Sequence, residues 1–577
     1  MGYRETYQSW LDDPYFDEAT KAELKSISGD EKEIEDRFYK NLEFGTAGLR
    51  GVIGAGTNRM NIYTVRKATQ GLANYILSAG GAERGVAIAY DSRHMNTEFA
   101  DCAALCLAAN GIKAYVFESL RPTPELSFAV RYLHCIAGIN ITASHNPADY
   151  NGYKVYWEDG AQITPPHDTG IMAEVAKVEK WSEVKTMEKD EAVIEDLYQV
   201  IGDNIDRPYL EALKSNVLHP EAIKATAKDL KIVYTPLHGT GNIPARKIMR
   251  QLGFENVYPV DEQRLPNGDF PTVPYPNPEA ENAFVLGLKL AKKVDADLVL
   301  ATDPDADRLG VRVKDKEGVY HDLTGNMSGC LLADYEIGQR KAVKGLPEDG
   351  ALISTIVSSN MAGAIARYYH VNFIEVLTGF KYIGQQILKM EETGKGTYLF
   401  GFEESYGCLI GTHARDKDAI VAVMALCEAA AYYKTQGKTL WDAMIELYER
   451  VGYYKDSVKS VGLAGKEGLE KIQTIMESLR SNPPEKIGEY SVTARRDYKK
   501  DERIDIATGG KTATGLPESN VLYFELEDDA WVCVRPSGTE PKIKFYYGVR
   551  GTSLEDADAK SARMDQELTA LIDAMTK

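Results

Sequence analysis

Ser144 stands in the stretch Thr142-Ala143-Ser144-His145-Asn146-Pro147, which is followed by Tyr150-Asn151-Gly152-Tyr153-Lys154. A serine hydroxyl is a poor nucleophile by itself and becomes useful when a base, a lysine or a metal ion lowers the cost of its alkoxide. His145 and Lys154 flank this one. The same residues also suit a plain turn whose serine and asparagine bond their own backbone. Farther along, Asp303-Pro304-Asp305-Ala306-Asp307-Arg308 places carboxylates at alternate positions, and a loop can converge such oxygens on one hard cation, Mg2+ or Ca2+. An EF-hand is excluded, because Arg308 stands where its sharp turn needs glycine and Lys314 where its bidentate glutamate belongs. A solvated acidic turn is the alternative.

Four further loops carry polar groups in useful company. Phe44-Gly45-Thr46-Ala47-Gly48-Leu49-Arg50-Gly51 packs three glycines round one arginine, so that backbone can bend close to a ligand with a guanidinium beside it. Glu403 and Ser405, in Phe402-Glu403-Glu404-Ser405-Tyr406-Gly407, offer an acceptor and a donor-acceptor suited to vicinal sugar hydroxyls; a helix cap is an equal use for the glutamate. His413-Ala414-Arg415-Asp416-Lys417-Asp418 adds cations, although Lys417 also reads as a surface lysine. Near the C-terminus, Arg535-Pro536-Ser537-Gly538-Thr539-Glu540-Pro541-Lys542 supplies an arginine, two hydroxyls and a glycine amide, a nest for a phosphate dianion.

These loops sit where strands end. The apolar run Cys135 to Ile141 predicts the strand that leads to Ser144, and Pro147 with Asn151-Gly152 is expected to bar strand or helix beyond it. Upstream, the spacing predicts a charged helical segment over the first 40 residues, a helix from Asn61 closed by Gly80-Gly81, strands at 86–90 and 112–117, and helices at 96–109 and 124–133. Strands alternating with helices imply α/β layers. The region 180–205 reads as helical, with a boundary near Arg207-Pro208. A second unit has strands at 230–234 and 297–302 and helices at 243–252 and 280–293; the latter strand ends at Asp303. A third unit, from Gly325, has strands at 352–357, 373–376 and 398–401, the last two running into Thr378-Gly379-Phe380-Lys381 and the Glu403 loop, and closes with a helix at 419–435. Region 455–485 reads as charged and connective, and short strands with a terminal helix from Leu554 make a final α+β module.

With 577 residues, roughly four domains at ~150 residues each are expected. A net charge of −19 argues against nucleic acid or an anionic membrane as the main partner. The seven cysteines are scattered without metal-ligand pairing, which suggests reduced thiols and a cytoplasmic setting. The N-terminus is too charged for a signal peptide, and no apolar run of 18 residues occurs.

Taken together and in this order, the loops resemble those of the α-D-phosphohexomutase family, from about residue 40 to the end. The Glu403 loop, the Thr378 loop and the length are most similar to its long phosphoglucomutase/phosphopentomutase branch; shorter members carry methionine at Glu404 and a histidine where this chain has Gly407. The resemblance implies an α/β fold of three related mixed-sheet domains plus a smaller C-terminal α+β domain around a central cleft, divided at 1–207, 208–322, 323–465 and 466–577. It implies that Ser144 is a phosphoserine, that its phosphate with Asp303, Asp305 and Asp307 holds one Mg2+, and that Arg50 and Lys154 assist transfer, with Lys417 as a second acid-base group. Glu403 and Ser405 would read sugar hydroxyls, and His145, Arg308, Thr378, Gly379 and Lys381 would line the substrate. Arg535, Ser537, Gly538 and Thr539 would grip the phosphate that is not reacting.

The reaction so implied interconverts glucose 1-phosphate and glucose 6-phosphate through glucose 1,6-bisphosphate, with pentose or mannose phosphates as alternative substrates. The partners would be small sugar phosphates, and the enzyme a monomer or weak homodimer. A sugar phosphatase and a non-catalytic sugar-phosphate sensor are the rivals from other classes. A separate phosphate clamp speaks against the first, and an intact set of serine, carboxylates and lysine against the second.

Overall fold

The computed structural model describes residues 2–44, 48–463, 465–537 and 542–576, and the chain divides into two compact units. The first comprises Met1–Leu323, Gly384–Gly394 and Tyr406–Thr439; the second comprises Thr324–Ile383, Lys395–Ser405 and Leu440–Lys577.

In the first unit a six-stranded sheet runs in the order Leu49–Val52, Tyr150–Trp157, Ala137–Ile141, Val86–Tyr90, Ala114–Phe117, Tyr198–Ile201. The first two joints are antiparallel and the others parallel. Its helices follow from local chemistry. Ile62–Ala79 starts where the Asn61 side chain accepts from the amides of Tyr63 and Thr64, and stops where Gly80 takes φ +75°. Val65, Leu72 and Ile76 on its buried face join Ile88, Ile139 and Val155 of the sheet in one core. A second mixed sheet orders Tyr320–Leu323, Leu309–Lys314, Leu298–Thr302, Lys231–Thr235, Asn256–Pro259. Its central hairpin, Leu298–Thr302 with Leu309–Lys314, turns through the three aspartates.

The second unit contains the parallel strands Asn372–Val376, Gly350–Thr355 and Thr397–Glu403, and an eight-stranded sheet. That sheet's longest pair, Tyr453–Gly462 with Lys542–Gly551, is antiparallel in register. The helices Gly465–Ser481 and Leu554–Thr576 bury Ile475, Met476, Leu568 and Ile572 against it.

Three expectations are corrected. Asn151-Gly152 does not stop a strand: Tyr150–Trp157 runs through both, because a Cβ at Gly152 would lie 2.4 Å from Thr142 O and glycine alone lets the strands close. The region 180–205 holds only a short helix, Lys189–Ile194, before the edge strand Tyr198–Ile201. Region 455–485 is not connective; it forms the strand Tyr453–Gly462 and the helix Gly465–Ser481, whose Glu470 and Glu477 face outward while Ile472, Ile475, Met476 and Leu479 pack inward.

All seven cysteines are buried thiols. Among the described residues no helix is long and apolar enough to cross a membrane.

Candidate active site

Ser144 follows the strand Ala137–Ile141 with φ +51°, an uncommon conformation for a side-chain-bearing residue. Three groups hold it there. Its amide donates to Thr142 Oγ1 at 2.8 Å, its carbonyl accepts from Arg93 Nη2 at 2.6 Å, and its Oγ donates to Asp303 Oδ2 at 2.8 Å. His145 Nδ1 lies 3.2 Å from the same Oγ. Burial, aided by the nearby Arg308 and Arg50 guanidinium groups, pushes the His145 imidazole well below its ordinary value, so the ring is neutral.

Arg93 is the residue that motif reading missed. Its guanidinium is fully buried and donates to four backbone carbonyls of the serine loop, those of Ser144, Asn146, Pro147 and Tyr150. It also stacks 5.0 Å from the Phe270 ring, with the Asp91 carboxylate 3.6 Å from Nε. Asp91 in turn accepts from Thr142 Oγ1 and Asn96 Nδ2. A signal existed: Asp91-Ser92-Arg93 leaves the end of the strand Val86–Tyr90, as Ser144 leaves its own.

Across from Ser144, the ligand-type oxygens of Asp303, Asp305 and Asp307 all lie within 4.8 Å of one another and are buried. Asp303 Oδ1 accepts the amides of Asp307 and Arg308 at 3.1 and 3.0 Å, so the same side chain that meets Ser144 also ties off the turn. Lys154 Nζ bonds Asp305 Oδ2 at 2.9 Å and lies 3.9 Å from Asp307; Lys417 Nζ lies 3.2 Å from Asp307. Thr123 Oγ1 also donates to Asp305 Oδ2, and itself accepts from Asn140 Nδ2.

The charge balance of this cluster is uneven. Burial and the neighbouring Asp305 and Asp307 push the Asp303 carboxyl well above the usual range. Asp305 is also penalised by burial, but Lys154 and its hydrogen bonds hold it below that range. Asp305 Oδ1 and Asp307 Oδ1 are buried without a hydrogen-bond donor. Anionic oxygens left so are what a divalent cation would satisfy, and an all-carboxylate set suits a hard ion.

Lys417 reaches Asp307 because Gly407 lets its stem pass. A Cβ at 407 would lie 2.1 Å from Lys417 Cδ, so any side chain at 407 and this lysine position exclude each other. Asp416 fixes the amine at 3.1 Å and also accepts from Tyr156 OH. The helix that follows, Ala419–Thr435, is tied to the aspartate turn by Ala419 N donating to Ala306 O at 3.2 Å. Arg308 pairs with Glu279 at 2.8 Å, and Arg50 reaches Asn146 Oδ1 at 3.4 Å. The first unit thus gathers Ser144, His145, Lys154, the three aspartates, Arg308, Lys417 and Arg50.

The remaining expected residues belong to the second unit. Thr378 and Gly379, the latter at φ +120°, precede the helix that Phe380 opens; Lys381 Nζ lies 5.4 Å over the Tyr382 ring, and Thr378 Oγ1 is buried without a hydrogen-bond partner. Ser405 Oγ donates to Glu403 Oε1 at 3.0 Å. Burial and the adjacent Glu403 raise the Glu404 carboxyl to about 7, opposed by a hydrogen bond from Thr355 and by Arg535. The Ser537 amide donates to Lys542 O at 2.8 Å. Gly538 and Thr539 lie outside the described residues.

Comparison with known proteins covers nearly the whole chain. Residues 41–181, 207–318 and 324–451 match the α/β/α domains I, II and III of phosphoglucomutase/phosphomannomutase, and 488–564 match its C-terminal domain. A phosphoglucomutase of Staphylococcus aureus is 37% identical over 95% of this chain and 97% of its own length. One of Staphylococcus epidermidis is 38% identical over 89% and 92%. Among solved structures, the Paramecium phosphoprotein pp63/parafusin, a phosphoglucomutase in its open form, superposes with TM-score 0.65 at 18% identity over 89% of this chain and 91% of that one, a likeness of fold.

Proposed function

We infer the reaction from one premise: the chain belongs to the phosphoglucomutase/phosphomannomutase family. It is a phosphohexomutase, an isomerase of four α/β-type domains, and its substrate pair is glucose 1-phosphate and glucose 6-phosphate, as for its phosphoglucomutase relatives. The observation that carries the chemical reading is the 2.8 Å contact of Ser144 Oγ with Asp303 at the rim of a buried aspartate cluster.

Phosphorylated Ser144 donates its group in line to the free hydroxyl of a hexose monophosphate. The bond from phosphorus to Ser144 Oγ breaks, its electron pair returns to Oγ, and a new phosphorus–oxygen bond forms on the sugar. The resulting glucose 1,6-bisphosphate turns end for end, and its other phosphate returns to Ser144. The proton lost by the attacking hydroxyl ends on Ser144 Oγ, relayed by Lys154, which is held between Asp305 and Asp307; Arg50 neutralises the moving phosphoryl oxygens, and Lys417 serves the second orientation. Neutral His145 adds a hydrogen bond at Oγ without a further charge.

Asp303, Asp305 and Asp307 with the Ser144 phosphate would hold Mg2+, which when bound neutralises charge on the transferring group. Glu403 and Ser405 select the sugar through its hydroxyls. Arg535, Ser537, Gly538 and Thr539 retain the far phosphate, which is what separates a mutase from a hydrolase.

The test is isomer interconversion with glucose, ribose and mannose 1-phosphates, each with Mg2+ and catalytic glucose 1,6-bisphosphate. Rapid formation of glucose 6-phosphate supports the reading. Preference for ribose moves the substrate to pentose phosphates, and free phosphate without isomer overturns the mutase mechanism.

A further inference from the structure

The strand Leu49–Val52, which carries Arg50, is an edge strand with one partner, Tyr150–Trp157. An edge strand is fixed on one side only, so something else must set where Arg50 stands. The chain beyond it, Ile53 to Met60, is an irregular turn closed by Gly54 N to Met60 O and Met60 N to Val52 O. That turn is gripped from outside the sheet, by residues that precede the matched family region.

The grip centres on Arg37, in the helix Glu31–Phe38. Its Nη1 donates to Ala55 O at 3.0 Å and to Glu23 Oε1 at 2.5 Å, while Glu23 Oε1 accepts the Ala55 amide at 3.1 Å. Both polar groups of the Ala55 backbone are thereby held by one ion pair. The Arg37 carbonyl accepts the Asn58 amide at 2.9 Å, and Arg59 reaches back to Asp36 at 2.6 Å. Gly56, at φ +138°, leaves no room for a Cβ, which would sit 2.8 Å from Arg37 O. The three helices Tyr3–Asp12, Glu18–Ser26 and Glu31–Phe38 are themselves anchored by an aromatic cluster. Trp10 stacks on Phe16 at 4.1 Å and meets Tyr63 edge-on at 5.7 Å, and Tyr63 OH accepts the Asp17 amide at 2.9 Å. Tyr63 lies in the first turn of Ile62–Ala79, so the segment from Arg50 to that helix is pinned at both ends and in the middle.

We propose that the N-terminal helices are a positioning brace for phosphoryl transfer, with Arg37 as the positioning residue that sets Arg50 through the turn Ile53–Met60. This rests on the assignment of Arg50 to transfer given above. A brace of this kind acts on geometry at the moment of reaction, where displacements near 1 Å cost up to about 100-fold in rate.

The experiment is a double-mutant cycle on the full-length enzyme, with kcat and KM for glucose 1-phosphate and the melting temperature measured for Arg37→Ala, Arg50→Ala and the pair. Arg37→Ala is expected to lower kcat about tenfold with KM changed less than about twofold, and the double variant to turn over no more slowly than Arg50→Ala. Losses that multiply in the double variant, as a purely structural defect would give, overturn the brace, and so does wild-type kcat in Arg37→Ala. If Arg37→Ala does not fold, Arg37→Lys, which keeps the charge and loses the second arm, enters the same cycle under the same criteria. An undiminished rate in Arg50→Ala defeats the assignment of Arg50 itself, and the brace with it.

Discussion

Ser144 Oγ spends its proton on Asp303, so the serine is oriented by an acceptor that its phosphate would displace. Ser144→Ala is expected to abolish mutase turnover while unfolding stability falls by no more than about 1–3 kcal/mol, since the two hydrogen bonds of Oγ, with Asp303 and His145, are lost and no core is disturbed. Assay and urea denaturation on the same preparation check this; near-normal turnover would refute the nucleophile. The unequal carboxyls give a second expectation. A proton on Asp303, whose ionisation burial and its two neighbours oppose, competes with a cation, so Mg2+ affinity should weaken as pH falls and binding should release protons. Calorimetric titration in buffers of different ionisation heat at pH 6 and pH 8 measures both, and an affinity indifferent to pH would count against the aspartates as ligands. That Ser144, Lys154 and the three aspartates come together was legible because serine and aspartate at strand ends announce a shared site. Arg93 was not, because an arginine serving backbone carbonyls has no partner visible in sequence.

Among the elements, the periodic ones were read nearly to the residue. The helices Asn96–Ala109 and Ala419–Thr435 match their apolar spacing, and Leu554 opens the last helix as expected. Elements that depend on tertiary neighbours escaped. The strand Tyr150–Trp157 contains a glycine that looks like a breaker until Thr142 O is seen against it, and Tyr453–Gly462 is an edge strand that leaves Lys455, Ser457 and Ser460 exposed. Gly407 shows the same dependence at the site, for its missing side chain is the channel for the Lys417 stem. Gly407→Ala should therefore displace Nζ from Asp307 and reduce kcat by about ten- to a hundredfold. Steady-state kinetics would show it; an unaltered kcat would remove Lys417 from the reaction.

On the scale of the whole molecule, four domains were legible from length and loop order, but the division into two compact units was not. Residues 384–394 and 406–439 join the first unit from within the third matched region, a choice made by packing rather than by chain order. Glu428, for instance, accepts the amides of Leu218 and His219, 210 and 209 residues away in sequence. Because every carboxylate of the candidate metal site lies in the first unit, calorimetric unfolding should show two transitions, with Mg2+ raising the midpoint of one and leaving the other in place. A single transition that shifts as a whole would mean that the units melt as one.

The discontinuity also sets a timetable. Asp307 leaves the ribosome 110 residues before Lys417, an interval of roughly 5–20 s at about 5–20 residues per second. Throughout it the nascent chain carries a buried-type acidic cluster that lacks one of its lysines and the helix Ala419–Thr435, whose first residue bonds the aspartate turn. Synthesis of the first unit is thus finished only after most of the third domain has emerged, and a pause in translation before residue 439 would leave the unit that carries Ser144 and the three aspartates waiting, unfinished, for its last piece.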